Sequence, residues 1–460
     1  MNGLYARLPT FAQNLACSWS GRRRARARFT PYFRRTLAEW ERTGQGSLDA
    51  LHALQRERLV HLVERCRRHV PHYRDLPPAS EARDPLEAMA RTLASIPPLD
   101  KAEYGAQPQA FIARDIPRRR LRYGKTSGTT GTALPLRYTP EALAEEYATV
   151  WRLRRSCGAR LADPHLSFGG QIIVPFGQRR PPFWRRNAHA GQTIFSLYHM
   201  APANLPAYVE AIHAAPARYA QGYPSSLHLV GRALLAAGRP LAPERLSAVF
   251  TSSESLLAFQ RETIEKAFGA PVRDRYGTSE FAVSMTECPE QRLHVDMEFC
   301  IVEVEAVEET DAWVRGPLLV TGLGNDAVGF LRYRVGDVGT RLRRPCACGR
   351  PGDVFADVDG RIEDYVVTPD GRRIGRLDHI FKEQFDVAEA QILQGSREAI
   401  EVRVVPRASW SQGSARSLRK EIRARLGDEI GVELRLVDAI EREPNGKFRA
   451  VKSRVGGSAA

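Results

Sequence analysis

The chain contains the stretch Thr126-Ser127-Gly128-Thr129-Thr130-Gly131-Thr132. Glycines let a backbone approach an anion closely, and hydroxyl and amide hydrogens can surround phosphate oxygens. The stretch lacks the Gly-Lys-Ser/Thr ending of a Walker loop. Taken alone, such a segment is more often a polar turn or loop than a phosphate site, so the motifs that follow it in the chain decide its interpretation.

Four further motifs follow in order. They are Tyr276-Gly277-Thr278-Ser279-Glu280, Tyr333-Arg334-Val335-Gly336-Asp337, Gly360-Arg361-Ile362-Glu363-Asp364 and Asn445-Gly446-Lys447. Any one of them can be incidental: Glu280 a surface carboxylate, Asp337 a turn cap, Lys447 a solvated lysine. Five elements in one order and at suitable separations are hard to ascribe to chance. Together they resemble the acyl-adenylate-forming superfamily, which includes acyl-CoA synthetases, adenylation domains and luciferases.

Within that superfamily the chain is most similar to the phenylacetate-CoA ligase and CapK-like branch. Besides the glycine-rich loop, the similarity lies in four segments: LVERCRRHVPHYRDL at 62–76, QGYPSSL at 221–227, FLRYRVGDVG at 330–339 and CACGR at 346–350. The resemblance implies a large N-terminal α/β domain and a small mobile C-terminal α+β lid.

The resemblance also implies a nucleotide site. Residues 126–132 would hold the ATP phosphates, and Asp337 would accept hydrogen bonds from the ribose hydroxyls. Arg361 would lie at the nucleotide near the hinge. The residues implied at the adenine are Ser253, Glu254, Ser255 and Tyr276. Two departures weaken parts of this assignment: Thr132 stands where many relatives have lysine, and Ser-Ser-Glu-Ser at 252–255 replaces a segment that usually contains glycine.

The implied reaction joins a carboxylate to the α-phosphorus of ATP. Thr278 would contact the α-phosphate, Glu280 would help hold Mg²⁺, and Lys447 would reach both the substrate carboxylate and the α-phosphate. Because two anions must meet, catalysis should depend on positioning and charge neutralisation rather than on an acid–base pair.

A second group of residues has the chemistry of a metal site. Cys288, His294, Cys346 and Cys348 offer three thiols and an imidazole, which suffice for a closed tetrahedral zinc site of structural type. The paired Cys-x-x-Cys spacing that signals zinc more strongly is missing. The alternative is three reduced cysteines and an unrelated histidine.

Alternating strand and helix patterns predict an α/β fold with substantial parallel sheet. Strands are expected at 172–176, 248–253, 301–307 and 318–323, and helices at 140–157, 205–215, 226–237 and 258–268. A turn at Pro369-Asp370-Gly371 should separate two short strands. We expect two domains, 1–362 and 363–460, with a hinge near Glu363 and Asp364.

The formal net charge of +15 raises nucleic acid or an acidic membrane surface as partners. The densest basic cluster, residues 22–28, is expected in a mobile N-terminal arm. Interleaved aromatic residues and zinc-finger spacings are missing, so a solvated basic face that attracts anions such as ATP is favoured over nucleic-acid binding. No apolar run approaches the roughly 20 residues of a membrane span, and we expect a cytoplasmic protein.

The expected function is therefore an AMP-forming ligase that uses ATP and Mg²⁺ to activate a small carboxylic acid, with aromatic acids among the candidates, and transfers it to coenzyme A. One alternative is AMP transfer to a hydroxyl of a coenzyme, or acyl transfer to a sugar, an amine or a carrier protein. Another is a non-catalytic basic binding protein on the same scaffold. Glu280, Asp337 and Lys447 argue against the latter, because a degraded relative has little reason to retain all three.

Overall fold

The computed structural model describes residues 3–125, 134–175, 177–200, 202–361, 366–369, 373–374, 386–442 and 448–455. The predicted phosphate loop at 126–132, the predicted hinge residues and Lys447 lie outside the described residues. For Arg361 only the backbone is described.

The described helices comprise ten in the N-terminal part and one in the C-terminal part. They are α1 (Gly3–Arg7), α2 (Thr10–Arg28), α3 (Pro31–Thr43), α4 (Leu48–His69), α5 (Pro85–Ala94), α6 (Lys101–Ala106), α7 (Pro140–Ser156), α8 (Leu205–Ala214), α9 (Pro224–Ala236), α10 (Ala258–Phe268) and α11 (Gln412–Leu426). Two of them, α3 and α7, begin at a threonine cap followed by proline, which satisfies one of the first helix N–H groups and removes another. In α7, for example, Thr139 accepts a hydrogen bond from the Ala142 N–H, and Pro140 is the first helical residue.

Strands β1 to β15 precede the predicted hinge. They are β1 (Arg122–Lys125), β2 (Pro135–Tyr138), β3 (His165–Phe168), β4 (Trp184–Asn187), β5 (Gln192–Phe195), β6 (Tyr219–Gly222), β7 (Val249–Ser252), β8 (Val272–Gly277), β9 (Ser284–Glu287), β10 (Leu293–Val295), β11 (Cys300–Val304), β12 (Glu308–Glu309), β13 (Trp313–Gly322), β14 (Tyr333–Leu342) and β15 (Val354–Arg361). Strands β16 to β21 follow it. They are β16 (Val366–Val367), β17 (Arg373–Ile374), β18 (Val387–Gln394), β19 (Ala399–Pro406), β20 (Gly431–Leu436) and β21 (Val451–Ser453).

One sheet of thirteen strands organises the larger domain, in the order β11-β13-β14-β15-β10-β9-β8-β7-β6-β3-β5-β4 with β12 beside β13. Its strands β5, β3, β6, β7 and β8 are parallel, and the run from β8 to β11 is antiparallel. The change from parallel to antiparallel pairing falls at β8, the strand that ends in Tyr276 and Gly277. Ligands of α/β proteins often bind where the pattern of a parallel sheet changes, beyond the carboxyl ends of its strands.

The smaller domain has its own sheet of four strands, in the order β20-β19-β18-β21. Helix α11 covers it, and the apolar side chains of the helix and the sheet form a separate core that includes Ile392, Val402, Leu418 and Ile422. The short strands β16 and β17 pair as the predicted turn requires. The structure thus has the expected fold class, a large α/β domain with a small C-terminal α+β domain.

Most expected elements are present, and two expectations are wrong. Residues 172–175 form no strand: Gly169 and Gly170 precede them, and Pro175 has no N–H for a sheet ladder. Their apolar character reflects packing instead, since Ile173 and Val174 lie against Ile194.

The basic cluster at 22–28 is not in a mobile arm. It forms the last turns of helix α2, which lies along β4. The close packing has a visible cause at Gly21, where an added Cβ would lie 2.3 Å from the Asn187 side chain. None of the helices in the described part of the chain is long and apolar enough to cross a membrane.

Candidate nucleotide site, lid junction and Cys/His cluster

The carboxyl end of β8 brings two predicted motifs together. The Tyr276 hydroxyl donates a hydrogen bond to Oδ2 of Asp337, 2.6 Å away, although the two residues are 61 positions apart in the chain. Asp337 also pairs in register with Arg361 on the neighbouring strand β15. Three of the residues predicted to bind the nucleotide, Tyr276, Asp337 and Arg361, thus lie together at the carboxyl end of β8, and we call this place the nucleotide edge.

The next turn positions Thr278 and Glu280. Glu280 is only 8% exposed and accepts a hydrogen bond from the Tyr333 hydroxyl at 3.1 Å. The Thr278 hydroxyl is buried, and it finds no hydrogen-bond partner among the residues that the structure describes. A buried hydroxyl without a partner is costly, so this atom suits a contact with a ligand oxygen.

Residues that the motifs did not single out hold this turn in place. The Tyr138 hydroxyl donates to the Ser279 carbonyl at 2.5 Å. Its ring stacks on Phe281 with a centroid separation of 4.3 Å. Phe281 has a φ of 56°, which is uncommon for a bulky residue and is found where the surrounding structure enforces it. The sequence gives little indication that Tyr138 and Phe281 support this turn, because aromatic residues are common near any motif.

In the predicted adenine segment, residues 253–255, the two serines and the glutamate between them have different surroundings. Ser253 and Ser255 are exposed, and Ser253 has a φ of 73°. Between them, the Glu254 carboxylate accepts backbone N–H bonds from Ser225 at 3.1 Å and from Phe448 at 2.8 Å. Burial raises the pKa of Glu254.

We call Ser225, Glu254 and Phe448 the lid junction, because Phe448 belongs to the small domain and the other two residues to the large one. Phe448 is also the residue that follows Lys447 in the chain. The junction therefore holds the sequence neighbour of the predicted catalytic lysine against the predicted adenine segment.

Beside the lid junction lies a cavity of about 320 Å³ between helices α9 and α10 of the large domain and strand β18 of the small domain. His228, Lys266, Arg407 and Arg442 contribute to its lining. Both ring nitrogens of His228 are buried without a hydrogen-bond partner among the described residues. Burial, with three nearby arginines, lowers the pKa of His228 to about 3, so this imidazole is neutral at physiological pH.

Cys288, His294, Cys346 and Cys348 do come together, and we call these residues the Cys/His cluster. One ligand atom from each lies within 4.8 Å of all the others. The Cys288 and Cys346 sulfurs are 3.7 Å apart, and the Cys348 sulfur is 3.3 Å from Nε2 of His294. Cys346 and Cys348 lie in a tight turn, in which Gly349 has a φ of 78° and its N–H bonds to the Cys346 carbonyl.

The donor set fits a zinc ion. Burial lowers the pKa of His294 to about 4, which keeps the imidazole in the neutral form that binds metals. Burial raises the pKa of Cys288 to about 12. A divalent cation is the usual partner that stabilises neighbouring thiolates at neutral pH.

Hydrogen bonds connect this cluster to the nucleotide edge. Arg350, two residues after Cys348, donates to Asp296 at 2.9 Å, and Asp296 accepts from the Ser284 hydroxyl at 2.6 Å. Arg275 then donates to the Ser284 hydroxyl at 3.1 Å and directly precedes Tyr276. The sequence motifs do not reveal this connection, because its members are common residues far apart in the chain.

Comparisons with known proteins agree with this architecture. Residues 366–454 match the family of the CapK C-terminal domain. Protein CapK of Staphylococcus aureus is 24% identical over 457 residues, which cover 98% of both chains.

Among solved structures, 2-hydroxyisobutyryl-CoA ligase in its postadenylation state aligns with a TM-score of 0.64 and 18% identity, over 87% of this chain and 89% of that one. The same ligase in its thioesterification state aligns with a TM-score of 0.55 and 19% identity, over 89% and 91%. The chain therefore has the adenylate-forming fold, ends in a CapK C-terminal domain and resembles the CapK-like branch of that superfamily.

Proposed function

We propose that this protein is an AMP-forming ligase that activates a carboxylic acid as an acyl-adenylate. The observation that carries the proposal is the Tyr276–Asp337 hydrogen bond at the carboxyl end of β8. It places an aromatic ring and a carboxylate side by side, the pair of groups that would receive the adenine and the ribose diol of ATP. Thr278 and Glu280 follow on the next turn, where the phosphates and Mg²⁺ would lie.

The chemistry follows from these groups. The substrate carboxylate oxygen attacks the α-phosphorus of ATP, the bond to the β-phosphate oxygen breaks, and pyrophosphate leaves. Mg²⁺, held by Glu280, would neutralise phosphate charge when bound. The unpartnered Thr278 hydroxyl would donate to an α-phosphate oxygen, and Lys447 would neutralise charge between the two reacting anions.

The lid junction supports an adenylating position of the lid. Glu254 binds the backbone of Phe448, the neighbour of Lys447. The higher TM-score with the postadenylation structure than with the thioesterification structure agrees with this arrangement. In our proposal the lid, residues 363–460, later turns about Glu363 and Asp364 to admit the acceptor.

The cavity beside the junction favours an acceptor that carries phosphate. Lys266, Arg407 and Arg442 supply cations to it, and among the described residues only Arg442 has a carboxylate partner, Glu389 at 2.5 Å. Coenzyme A has such phosphates and is the acceptor we propose. The alternatives are AMP transfer to a coenzyme hydroxyl and acyl transfer to a sugar, an amine or a carrier protein. An assay with and without coenzyme A separates them from transfer to coenzyme A.

The test is a hydroxylamine-trapping screen of carboxylic acids with ATP and Mg²⁺, with and without coenzyme A. Acyl-hydroxamate and pyrophosphate should form with at least one acid, and the Asp337→Ala variant should need much more ATP. The concentration of free coenzyme A thiol should fall only in the mixture that contains the acid, ATP, Mg²⁺ and the protein together. If no acid, aromatic or aliphatic, releases pyrophosphate while purified protein binds ATP, the acid-activation proposal fails and AMP transfer to a hydroxyl is tested next.

We also propose that the Cys/His cluster holds one structural zinc ion. The residues that would bind it are Cys288, His294, Cys346 and Cys348, and the four donors fill a tetrahedral shell with no open position for substrate. The ion would anchor the turn that carries Arg350, and through Asp296 and Ser284 it would stiffen strand β8 at Arg275. Its role would be to support the nucleotide edge rather than to catalyse.

A further inference from the structure

The N-terminal helix α2 exposes a row of large apolar side chains. Phe11, Leu15 and Trp19 are 68%, 67% and 63% exposed, and they recur every fourth residue, so they lie along one face of the helix. In helix α1, Leu4 is 76% exposed. Exposed large apolar residues are ordinary when they are scattered, but a continuous row of them marks a surface that binds something.

The same face continues into a row of cations. Arg22 and Arg26 follow Phe11 by eleven and fifteen positions, close to whole numbers of helical turns, and both are exposed. Arg23 is exposed too, and its guanidinium lies 4.8 Å from the centre of the Trp19 ring. One face of α2 is thus apolar in its N-terminal half and basic in its C-terminal half.

Residues on the other faces of α2 hold the helix in place, so this surface has a fixed orientation. Gln13 is buried and donates to the carbonyls of Tyr5 and Leu8 at 3.1 and 3.0 Å. The side-chain oxygens of Asn14 and Ser18 accept the backbone N–H groups of Arg186 and Ala188 at 2.9 and 3.0 Å. The helix therefore cannot turn its apolar row inward without breaking these bonds.

We propose that this face of α2 docks the protein on an anionic lipid surface. A helix that lies in the plane of a bilayer interface buries its apolar side chains at the boundary of the acyl chains, with tryptophan at the level of the headgroups. Arginines on the same face reach the headgroup phosphates while their stems stay in the apolar layer. Apolar and basic residues on one exposed face match both components of such a surface.

Other occupants match only part of this surface. Nucleic acid would neutralise the arginines but leave Phe11 and Leu15 in water. A second copy of the chain would cover the apolar row, but it would bring an identical set of arginines to the contact. An anionic bilayer satisfies both halves at once. The proposal concerns a surface separate from the nucleotide edge, and it stands whether or not the protein is a ligase.

The test is co-sedimentation of the full-length protein with two kinds of vesicles, pure phosphatidylcholine and phosphatidylcholine with one third phosphatidylglycerol. We expect sedimentation only with the second kind and its loss at high salt. The double variants Phe11→Ser/Trp19→Ser and Arg22→Glu/Arg26→Glu should each bind at least about tenfold more weakly. As matched controls, Val307→Ser and Arg397→Glu remove an exposed apolar residue and an exposed arginine elsewhere and should bind like the wild type.

The proposal fails if the protein sediments with neither kind of vesicle, or if the α2 variants bind as well as the wild type. It also fails if the wild-type protein is dimeric in analytical ultracentrifugation and Phe11→Ser/Trp19→Ser makes it monomeric, because the face is then a self-association surface. Circular dichroism spectra of all variants should equal that of the wild type, since the changed side chains are exposed.

Discussion

The Cys/His cluster and the lid junction are both small polar sites at the edge of the large domain, and they are built in different ways. The cluster draws Cys288 and His294 from the β9–β10 hairpin and its other two donors from the connection between β14 and β15, all within one sheet. The lid junction joins the two domains through a single carboxylate, Glu254, and a backbone N–H from each domain.

This difference determines which site can move. Strands that share hydrogen-bond ladders hold the donors of the cluster, so they cannot separate without disrupting the sheet. Among the described residues, one hydrogen bond crosses the junction between the domains, from Phe448 to the Glu254 carboxyl, and it contributes about 1.5–3 kcal/mol when that group is ionised. In the function we propose, a contact of that strength would hold the lid during adenylation and release it for transfer to the acceptor.

The largest effect is expected at the residue beside the junction. Lys447→Ala should slow acyl-adenylate formation at least about 100-fold, because a charge contact made in the transition state contributes roughly 3 kcal/mol or more. Thioester formation from chemically supplied acyl-adenylate should survive. Single-turnover assays of both half-reactions measure this, with Lys420→Ala, an exposed lysine of α11, as the control. Equal loss in both half-reactions would contradict a lysine that serves adenylation alone.

The junction itself comes next. Glu254→Ala leaves the Phe448 N–H without its acceptor and should slow adenylation about 10-fold to 100-fold, in line with a charged hydrogen bond. Glu254→Gln keeps one acceptor oxygen, so its rate of adenylation should fall less than that of Glu254→Ala. The second half-reaction should change little in both variants, and Glu429→Ala is an exposed control. If ATP affinity falls in Glu254→Ala while the lid step is unaffected, Glu254 belongs to the adenine pocket, as the family resemblance implies.

Loss of the metal from the Cys/His cluster should lower the stability of the protein, with little direct effect on either half-reaction. Purified protein should contain about one zinc ion per chain. Cys346→Ser should lose it and lower the melting temperature by at least about 5 °C, because a closed site couples metal binding to folding. Cys157→Ser, at a half-buried cysteine outside the cluster, is the matched control. Metal-free wild-type protein with an unchanged melting temperature would show that the cluster consists of free thiols.

The smallest expected effect is on the pH dependence of stability, and it comes from Asp274 on strand β8, between the two sites. Asp274 accepts a hydrogen bond from Thr251 at 2.6 Å, and burial raises its pKa to about 7. Because the folded state then binds this proton more tightly than the unfolded state, stability should fall as pH rises from about 4 to about 7. Asp274→Asn should remove that part of the decline, so its stability relative to the wild type should increase over this range in urea titrations. A difference that does not change with pH would mean that Asp274 is ionised throughout the range.

Much of the candidate site was predictable because its chemistry is local in sequence. The motifs around Tyr276, Glu280 and Asp337 occupy strand ends and turns, where a few residues determine both the backbone and the groups it presents. The cysteines and His294 could be identified as potential ligands by residue type alone. Whether they met was open, since their spacing lacks a paired signal and the partners lie more than fifty residues apart.

The two wrong expectations have different origins. The apolar run at 172–175 looks like a strand, yet neighbouring glycines and Pro175 direct it into a loop that packs its side chains without a ladder. The arginines at 22–28 look like a solvated arm, yet Gly21 lets their helix approach Asn187 closely. The first run is decided by local residues that the apolar pattern ignores, and the second by a contact with a distant strand.

The sequence by itself determined the fold class, the order of the motifs and the chemical types that a nucleotide or a metal would require, because periodicity and short motifs encode these locally. Only the tertiary structure decided that Tyr276 bonds Asp337, that the cluster closes to within 4.8 Å, and that Glu254 binds the chain beside Lys447. It also decided which face of α2 stays in contact with solvent. Each of these depends on the register of strands and the docking of domains, which arise from many weak contacts between segments that the chain order leaves far apart.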